Sequence, residues 1–344
     1  MLVARGLSGN LFPVHPRVLL DELLTSWLTR TAHGNGMKLQ AFFDATVGRG
    51  VPTMNRDYDR SVPEEHLRTY SNMTGVSIER LREATLRAYA GTFVDQVNTN
   101  TGSPWVLAQG VYHRKRTCHG LQYCPVCLMS DTVPYFRREW RLAFYVECER
   151  HHIQMFDACP QCDAPVVPFR VELGKRWATL SQGIFLCHAC GFDLRRAPHR
   201  YIEFKDWQLA VTMRRLILLH WWSDAAAQAD APIATAEFFR DWSNLATLMR
   251  SARRYLNRLG PAAAVLSNSP IAPYPFGKIA FEALRVEQRI DLLRPATWAL
   301  SNWPSNLLLM LATANVSRRR LVGAYKTWSP RMRNLLAGLQ TINR

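Results

Sequence analysis

The chain has 344 residues, of which 48 % are hydrophobic, so it can bury more than one core and is not an intrinsically disordered protein. Lys and Arg outnumber Asp and Glu by 43 to 27, and this surplus favours nucleic acid or another acidic partner. The first residues lack the apolar core of a signal peptide and no apolar run is long enough to span a bilayer. These features argue against a membrane protein and predict a cytoplasmic one.

The first part of the chain predicts a helical domain over residues 1–101. Apolar residues recur at three- and four-residue intervals from Leu20 to Thr31, which predicts a helix that ends at the glycine-rich break after it. Its apolar face carries Trp27, which suits either plain core or an anchor for a second copy of the chain. A second short helix is expected over 39–43, and a loop over 51–63.

The segment that follows predicts a helix, a glycine turn and a second helix. Gly75 marks the turn, and Ser77 stands where the N-cap of the second helix is needed. The arrangement resembles a helix-turn-helix, although any helical hairpin has the same pattern. DNA reading by this element and a purely structural hairpin both remain open.

Seven of the eight cysteines fall into one register in a central region predicted over 102–200. Each half of this register offers four ligands of the type and number that a closed, tetrahedral structural zinc site takes. The first predicted set is Cys124, Cys127, Cys148 and His151, and the second is Cys159, Cys162, Cys187 and Cys190. The pattern predicts two structural zinc ions per chain.

Three alternatives accompany this assignment. His152 follows His151 and is the alternative fourth ligand of the first set, although the two-residue spacing favours His151. Cys118 is left over, and the histidines on either side of it leave a third site conceivable. Buried thiols or disulfides are the remaining interpretation, but the repeated two-residue gap and the missing export signal favour zinc.

The last part of the chain predicts a helical domain over 201–344. Helices are expected over 207–222, 236–248, 251–259, 275–286 and 298–314, with a linker over 225–232. Asn315 to Ser317 predicts a cap that leads into a basic helix over 318–325, which makes a second helix-turn-helix-like pair. The fold class expected is mainly α, with a central small zinc-ribbon or zinc-knuckle region and helix-turn-helix-like hairpins at both ends.

The basic residues are dominated by arginine and are clustered. Arg137, Arg138 and Arg141 surround Trp140, and a further group that includes Arg258 recurs at helical spacing, which predicts one shared helix face. No acidic residue occurs after residue 310, where arginines are frequent. Arginine suits bidentate contact with phosphate. The predicted nucleic-acid contacts are Arg250, Arg253, Arg254, Arg318, Arg319 and Arg320.

Three pieces of the chain together resemble the TniQ family, the target-selection proteins of Tn7-like and Tn5053-like transposons. DELLTSWLTRTAHGNG resembles the N-terminal opening of the family, and YCPVCLMSDTVPYFRREWRL resembles its first zinc knuckle. CERHHIQMFDACPQC, followed by CHACGFDLR, resembles its Cys-x-x-His step and second knuckle. The resemblance covers roughly residues 13–195. It departs from the family at His152, where a glycine usually follows the ligand histidine.

The resemblance implies a bacterial adaptor that marks an insertion site and recruits an AAA+ ATPase, which in turn brings the transposase. It implies that the site is found by binding DNA, by riding on an RNA-guided CRISPR effector complex, or both, and that the protein forms a homodimer. The chain contains no P-loop, Gly-x-Ser-x-Gly or His-Glu-x-x-His motif, so we expect no enzymatic activity. The alternative is a zinc-containing helix-turn-helix transcription regulator, and a zinc-dependent nuclease comes third.

Overall fold

The chain divides into two compact units. One comprises Met1–Tyr89 with Gln96–Arg200, and the other comprises Ala90–Asp95 with Tyr201–Arg344. The division into three domains at residues 101 and 200 stays a prediction. The computed structural model describes residues 11–51, 53, 56–91, 94, 96–98, 102–109, 111–112, 115–116, 118–171, 183–201, 235–253, 255–268, 279–324 and 327–338.

Helices dominate the described residues, and the predicted fold class is confirmed. The first unit contains α1 (Leu24–Gly34), α2 (Leu39–Thr46), α3 (Tyr58–Ser61), α4 (Glu64–Thr74), α5 (Ile78–Glu83) and α6 (Pro125–Ser130). The second contains α7 (Thr235–Leu248), α8 (Leu259–Leu266), α9 (Val286–Leu300), α10 (Ser305–Thr313), α11 (Arg318–Ala324) and α12 (Pro330–Gly338). The first unit also has a two-residue antiparallel pair, β1 (Val111–Tyr112) with β2 (Lys115–Arg116). None of the described helices is long and apolar enough to cross a bilayer.

The helices of the first unit enclose an apolar core. Trp27 of α1, Phe42 of α2 and Tyr70 of α4 are completely buried in it. Val167 and Phe169, which lie between the two halves of the second cysteine set, pack into the same core. The N-terminal helices and the cysteine-rich region therefore share one apolar interior.

The first helix begins later than the sequence predicts. It starts at Leu24, and Leu20 lies outside it, 60 % exposed. Asp21 has a left-handed φ of +54°, which interrupts a helix. Its carbonyl accepts a hydrogen bond from the Arg138 N–H at 2.7 Å. Trp27 donates its indole N–H to the Pro16 carbonyl at 2.8 Å. The buried indole is core and does not offer an anchor for a second copy of the chain.

The predicted hairpin of α4 and α5 is confirmed. Gly75 ends α4 with a φ of +70°, a left-handed conformation that glycine adopts at little cost. Ser77 is the N-cap of α5, and its hydroxyl accepts the Arg80 N–H at 3.2 Å. The loop predicted over 51–63 contains one element that the sequence did not predict, the single-turn helix α3.

The second unit follows the sequence prediction only in part. The helices expected over 236–248 and 318–325 are confirmed as α7 and α11. The helix expected over 207–222 and the linker expected over 225–232 lie outside the described residues. The helix predicted over 298–314 is wrong, because Pro304 lacks the N–H that a continuous helix needs and the chain divides there into α9 and α10. Only a 3-10 turn (Phe281–Ala283) precedes α9 in the described part of the segment where a helix was expected.

The helix predicted over 251–259 is also wrong. Its first half is a turn in which Tyr255 has a φ of +77°, and a 3-10 turn (Leu256–Arg258) then leads into α8. Arg250 and Arg253 lie outside any described helix, so the expected shared helix face does not form. A left-handed tyrosine is incompatible with helix geometry, which explains the break.

Candidate metal centres

The first predicted ligand set lies together in the first unit. Cys124 is the N-cap of α6, and its Sγ accepts the Cys127 N–H at 3.4 Å. The Sγ atoms of Cys127 and Cys148 are 3.6 Å apart. His151 places its Nδ1 3.4, 3.3 and 3.5 Å from the sulfurs of Cys124, Cys127 and Cys148. The three cysteines are buried, so this cluster (cluster 1) is closed on the sulfur side.

The second set forms a comparable group, cluster 2. The sulfurs of Cys159 and Cys190 are 3.7 Å apart, and those of Cys162 and Cys187 are 3.6 Å apart. Cys159 and Cys187 are buried, whereas Cys162 and Cys190 are exposed. In both clusters the four ligand atoms lie within 4.8 Å of one another. No further cluster of His, Cys, Asp or Glu in the described part of the chain is placed to hold a metal, and Cys118 lies outside both groups.

These spacings fit a tetrahedral zinc ion. Bonds of about 2.3 Å to sulfur and about 2.0 Å to nitrogen give tetrahedral edges of about 3.8 Å between two sulfurs and about 3.5 Å between nitrogen and sulfur. The separations found are 3.6 and 3.7 Å between sulfurs and 3.3 to 3.5 Å between nitrogen and sulfur. Both donor type and spacing are therefore suitable for zinc.

Three of the four ligand pairs are held by the same backbone turn. In each, the N–H of the first ligand donates to the carbonyl five residues later, at 2.8 or 2.9 Å. The residue after the second ligand returns its N–H to the carbonyl of the first ligand, also at 2.8 or 2.9 Å. That residue has a left-handed φ: +54° at His152, +57° at Asp163 and +80° at Gly191. The remaining pair, Cys124 and Cys127, uses the start of α6 instead.

Because of this turn, the side chains of His151 and His152 lie in different surroundings. His152 occupies the left-handed position, its Nδ1 lies 3.5 Å from Glu147 Oε1, and its side chain is 56 % exposed. The same position holds glycine in the second pair of cluster 2, because a left-handed φ favours a residue without a Cβ. The structure thus brings His151 to the sulfurs and leaves His152 at the turn.

Two substitutions separate these roles. His151→Ala removes one of the four ligand groups of cluster 1 and should reduce the zinc content of the purified protein from two ions per chain towards one. His152→Gly should keep both ions and change the free energy of unfolding by less than about 1 kcal/mol, in the stabilising direction, because glycine relieves the left-handed strain. Elemental analysis with a thermal melt measures both. Loss of zinc in His152→Gly, with full zinc in His151→Ala, would transfer the ligand role to His152.

The arginines around Trp140 do not form a basic surface. Arg137 Nη2 lies 2.8 Å from Asp131 Oδ1, and Arg138 Nε lies 3.0 Å from Asp21 Oδ1. Both guanidinium groups are buried. Arg137 also lies over the Trp140 ring, 4.8 Å from its centroid. Arg137 thus pairs within the cysteine-rich region, whereas Arg138 connects that region to the chain just before α1. Sequence reasoning missed the second contact because Asp21 is distant in the sequence.

Arg141 is the centre of a buried ionic network. Its Nη2 lies 2.5 Å from Asp57 Oδ2, and its Nη1 lies 3.2 Å from Asp59 Oδ2. Asp59 also accepts hydrogen bonds from the N–H and the hydroxyl of Thr25, at 2.8 and 2.9 Å. Burial raises the pKa of Asp59 to about 6, against the opposing field of Arg141. The network joins α1, α3 and the chain beside cluster 1.

The predicted nucleic-acid contacts lie in the second unit. Arg253, Arg319 and Arg320 are exposed. Arg250 is only partly exposed, and its Nη2 donates to the Ile279 carbonyl. The described residues do not include Arg254 or the side chain of Arg318.

One of these arginines has an aromatic partner that sequence reasoning missed. The Cζ of Arg320 lies 3.4 Å from the centroid of the Tyr255 ring. This contact brings α11 to the turn that contains Arg253. The sequence offered only one signal for it, an aromatic residue directly after two arginines.

Comparison with known proteins agrees with the resemblance found in the sequence. Residues 13–155 match the family model described as TniQ. The matched range contains α1 to α6 and all four residues of cluster 1, whereas cluster 2 begins after it. No curated protein matches the chain.

Proposed function

This chain belongs to the TniQ family through its residues 13–155, and on that premise we propose that it is an adaptor that selects the insertion site of a bacterial DNA transposon. The family match is the observation that carries the proposal. In this role the protein recruits an AAA+ ATPase, and the ATPase brings the transposase. The proposal places the protein in the cytoplasm, where it meets the DNA.

The two clusters support an architectural use of metal. We assign Cys124, Cys127, Cys148 and His151 to one zinc ion and Cys159, Cys162, Cys187 and Cys190 to a second. Four protein ligands complete a tetrahedral site, whereas a catalytic zinc keeps one position open for water or substrate. Both ions are therefore proposed as structural, and the protein is proposed to have no turnover of its own.

The exposed arginines of the second unit support direct contact with DNA. Arg253, Arg319 and Arg320 are exposed and lie in a basic part of the chain. We keep Arg250, Arg254 and Arg318 in the same proposed contact set because they are neighbours of these residues in the sequence. An RNA-guided CRISPR effector complex is the other proposed way for the adaptor to reach its site.

The resemblance also carries the proposal of a homodimer. Trp27 is completely buried in the first unit, so an interface between two copies has to use other residues. Light scattering at micromolar concentration tests this part of the proposal. A strict monomer would remove it without affecting the adaptor function.

The adaptor function has its own test in a reconstituted transposition reaction. Omitting this protein should abolish insertion at the selected site, because ATPase and transposase would no longer be brought there. The purified protein alone should neither cleave plasmid DNA with Mg²⁺ or Mn²⁺ nor hydrolyse ATP. Insertion at that site with undiminished efficiency in its absence would contradict the proposal and favour the transcription-regulator alternative.

A further inference from the structure

Two arginine-containing segments of the second unit carry no acidic residue. Residues 242–281 and 292–344 contain neither Asp nor Glu. The first segment includes the turn before α8, and the second includes α11. A surface shared by the two segments is therefore positive, because neither of them supplies a carboxylate that could neutralise it.

A stacked pair of side chains joins these segments. Arg320 of α11 lies with its Cζ 3.4 Å from the centroid of the Tyr255 ring. Tyr255 reaches this position with a φ of +77°, in a region that a tyrosine rarely occupies. Strained backbone conformations of this kind are found preferentially at functional positions such as ligand-binding sites. The strained turn presents an aromatic face to an arginine of the other segment.

The arginines around this stack are available to an external anion. Arg253, Arg319 and Arg320 are exposed, and none of them forms an ion pair with a carboxylate in the described part of the chain. In the first unit, by contrast, Arg137 and Arg138 are buried against Asp131 and Asp21. The arginines around the Tyr255–Arg320 stack therefore differ from those around Trp140, because their donors face solvent and not a buried carboxylate.

We propose that Tyr255 and Arg320 form the centre of a surface that binds the phosphates of duplex DNA, with Arg253 and Arg319 beside them. The inference rests on the proposed function, since it takes the partner of the adaptor to be DNA. A guanidinium stacked on a ring keeps the N–H groups along its edge for phosphate, and the ring fixes its direction. Less side-chain entropy is then lost on binding. Closely spaced phosphates on a duplex suit several arginines that act together.

Fluorescence anisotropy of the full-length, zinc-loaded protein on a labelled duplex of mixed sequence tests this surface over a series of salt concentrations. Arg320→Ala should weaken binding about five- to tenfold near 0.1 M salt and flatten the slope of log affinity against log salt by about 0.9. Tyr255→Ala changes no charge, yet it should weaken binding roughly two- to fivefold because Arg320 loses its support. Tyr255→Phe keeps the ring and should bind like the wild type.

The decisive measurement is the coupling between the two residues. If Tyr255 acts only by positioning Arg320, the double variant Tyr255→Ala with Arg320→Ala should bind no more weakly than Arg320→Ala alone. Arg68→Ala, which removes an exposed arginine of the first unit, is the charge-matched control and should leave the slope unchanged. The melting midpoint shows that each variant is folded. If Tyr255→Ala does not fold, Tyr255→Gly replaces it in the single and double variants, because glycine also removes the ring and adopts the φ of +77° at little cost.

Several outcomes would overturn this surface. Independent, multiplicative effects of the two substitutions would remove the positioning role of Tyr255. An unchanged salt slope in Arg320→Ala, with normal duplex binding by the wild type, would move the DNA contact elsewhere. Tighter binding of a single-stranded RNA probe, with the same pattern of variant effects, would overturn the assignment to duplex DNA. Each of these results leaves the adaptor function standing, since that function fails only if the transposition reaction proceeds without the protein.

Discussion

Cys187→Ser is expected to unfold much of the first unit, beyond the loss of one metal ion. Structural zinc contributes on the order of 10 kcal/mol to the folding of small domains, which is comparable to the whole stability of a typical protein. The segment between Cys162 and Cys187 carries Val167 and Phe169 into the core formed by the N-terminal helices. When cluster 2 no longer holds the ends of this segment, the helices lose two of their buried contacts.

Elemental analysis, limited proteolysis and soluble yield measure this effect. Cys118→Ser is the matched control, because Cys118 lies outside both clusters, and it should retain two zinc ions per chain and the melting midpoint of the wild type. A soluble Cys187→Ser protein with one zinc ion and an unchanged melt would show that cluster 2 is dispensable for the fold. Two zinc ions in that variant would contradict the ligand assignment itself.

Arg141→Met is expected to destabilise the first unit by roughly 3 to 5 kcal/mol, because it leaves the buried carboxylate of Asp59 without its counter-charge. Asp59 is completely buried, and Arg141 is the guanidinium that lies within ion-pair distance of it. Arg82→Met is a suitable comparison, since it removes a pair with Glu64 at the surface and should cost less than about 1 kcal/mol. Urea denaturation of the zinc-loaded proteins gives both values.

The pH dependence of Arg141→Met provides a second readout. The pKa of Asp59 is already raised to about 6 by burial, and it should rise further when Arg141 is absent. The stability linked to a raised carboxyl pKa is present at low pH and is lost as the pH rises through the folded-state value. The difference between variant and wild type should therefore be larger at pH 8 than at pH 6. Adding Asp59→Asn should recover part of the loss, and an additive double variant would contradict a direct pairing of the two residues.

The features that could be predicted from the sequence are those set by short spacing. Two-residue gaps identified the pairs of Cys and His residues that the structure brings together in clusters 1 and 2, and Gly75 with Ser77 identified the turn and cap between α4 and α5. In each case the residues that define the structure lie within a few positions of one another, so their chemistry can be recognised in the linear chain.

The features that could not be predicted depend on distant partners. Arg138 reaches Asp21 across 117 positions, and this contact accompanies the turn that delays α1. The arginines around Trp140 have the same sequence character as those of the second unit, and only the placement of carboxylates distinguishes buried from exposed ones. The turn before α8 has a similar origin, since the ring of Tyr255 lies against Arg320 of α11.

The core of the first unit extends beyond the part of the chain that matches the family model. The family match ends at residue 155, yet the next residue, Phe156, exchanges two backbone hydrogen bonds with Tyr123 at 2.8 and 3.0 Å. Val167 and Phe169 lie further beyond that limit and still complete the interior of the N-terminal helices. If recombination exchanged residues 13–155 between two relatives, the N-terminal helices would come from one parent. The residues after 155 that pack into their core, among them Val167 and Phe169, would come from the other. Shuffling of this family is expected to succeed only with breakpoints beyond residue 200, where the first compact unit ends.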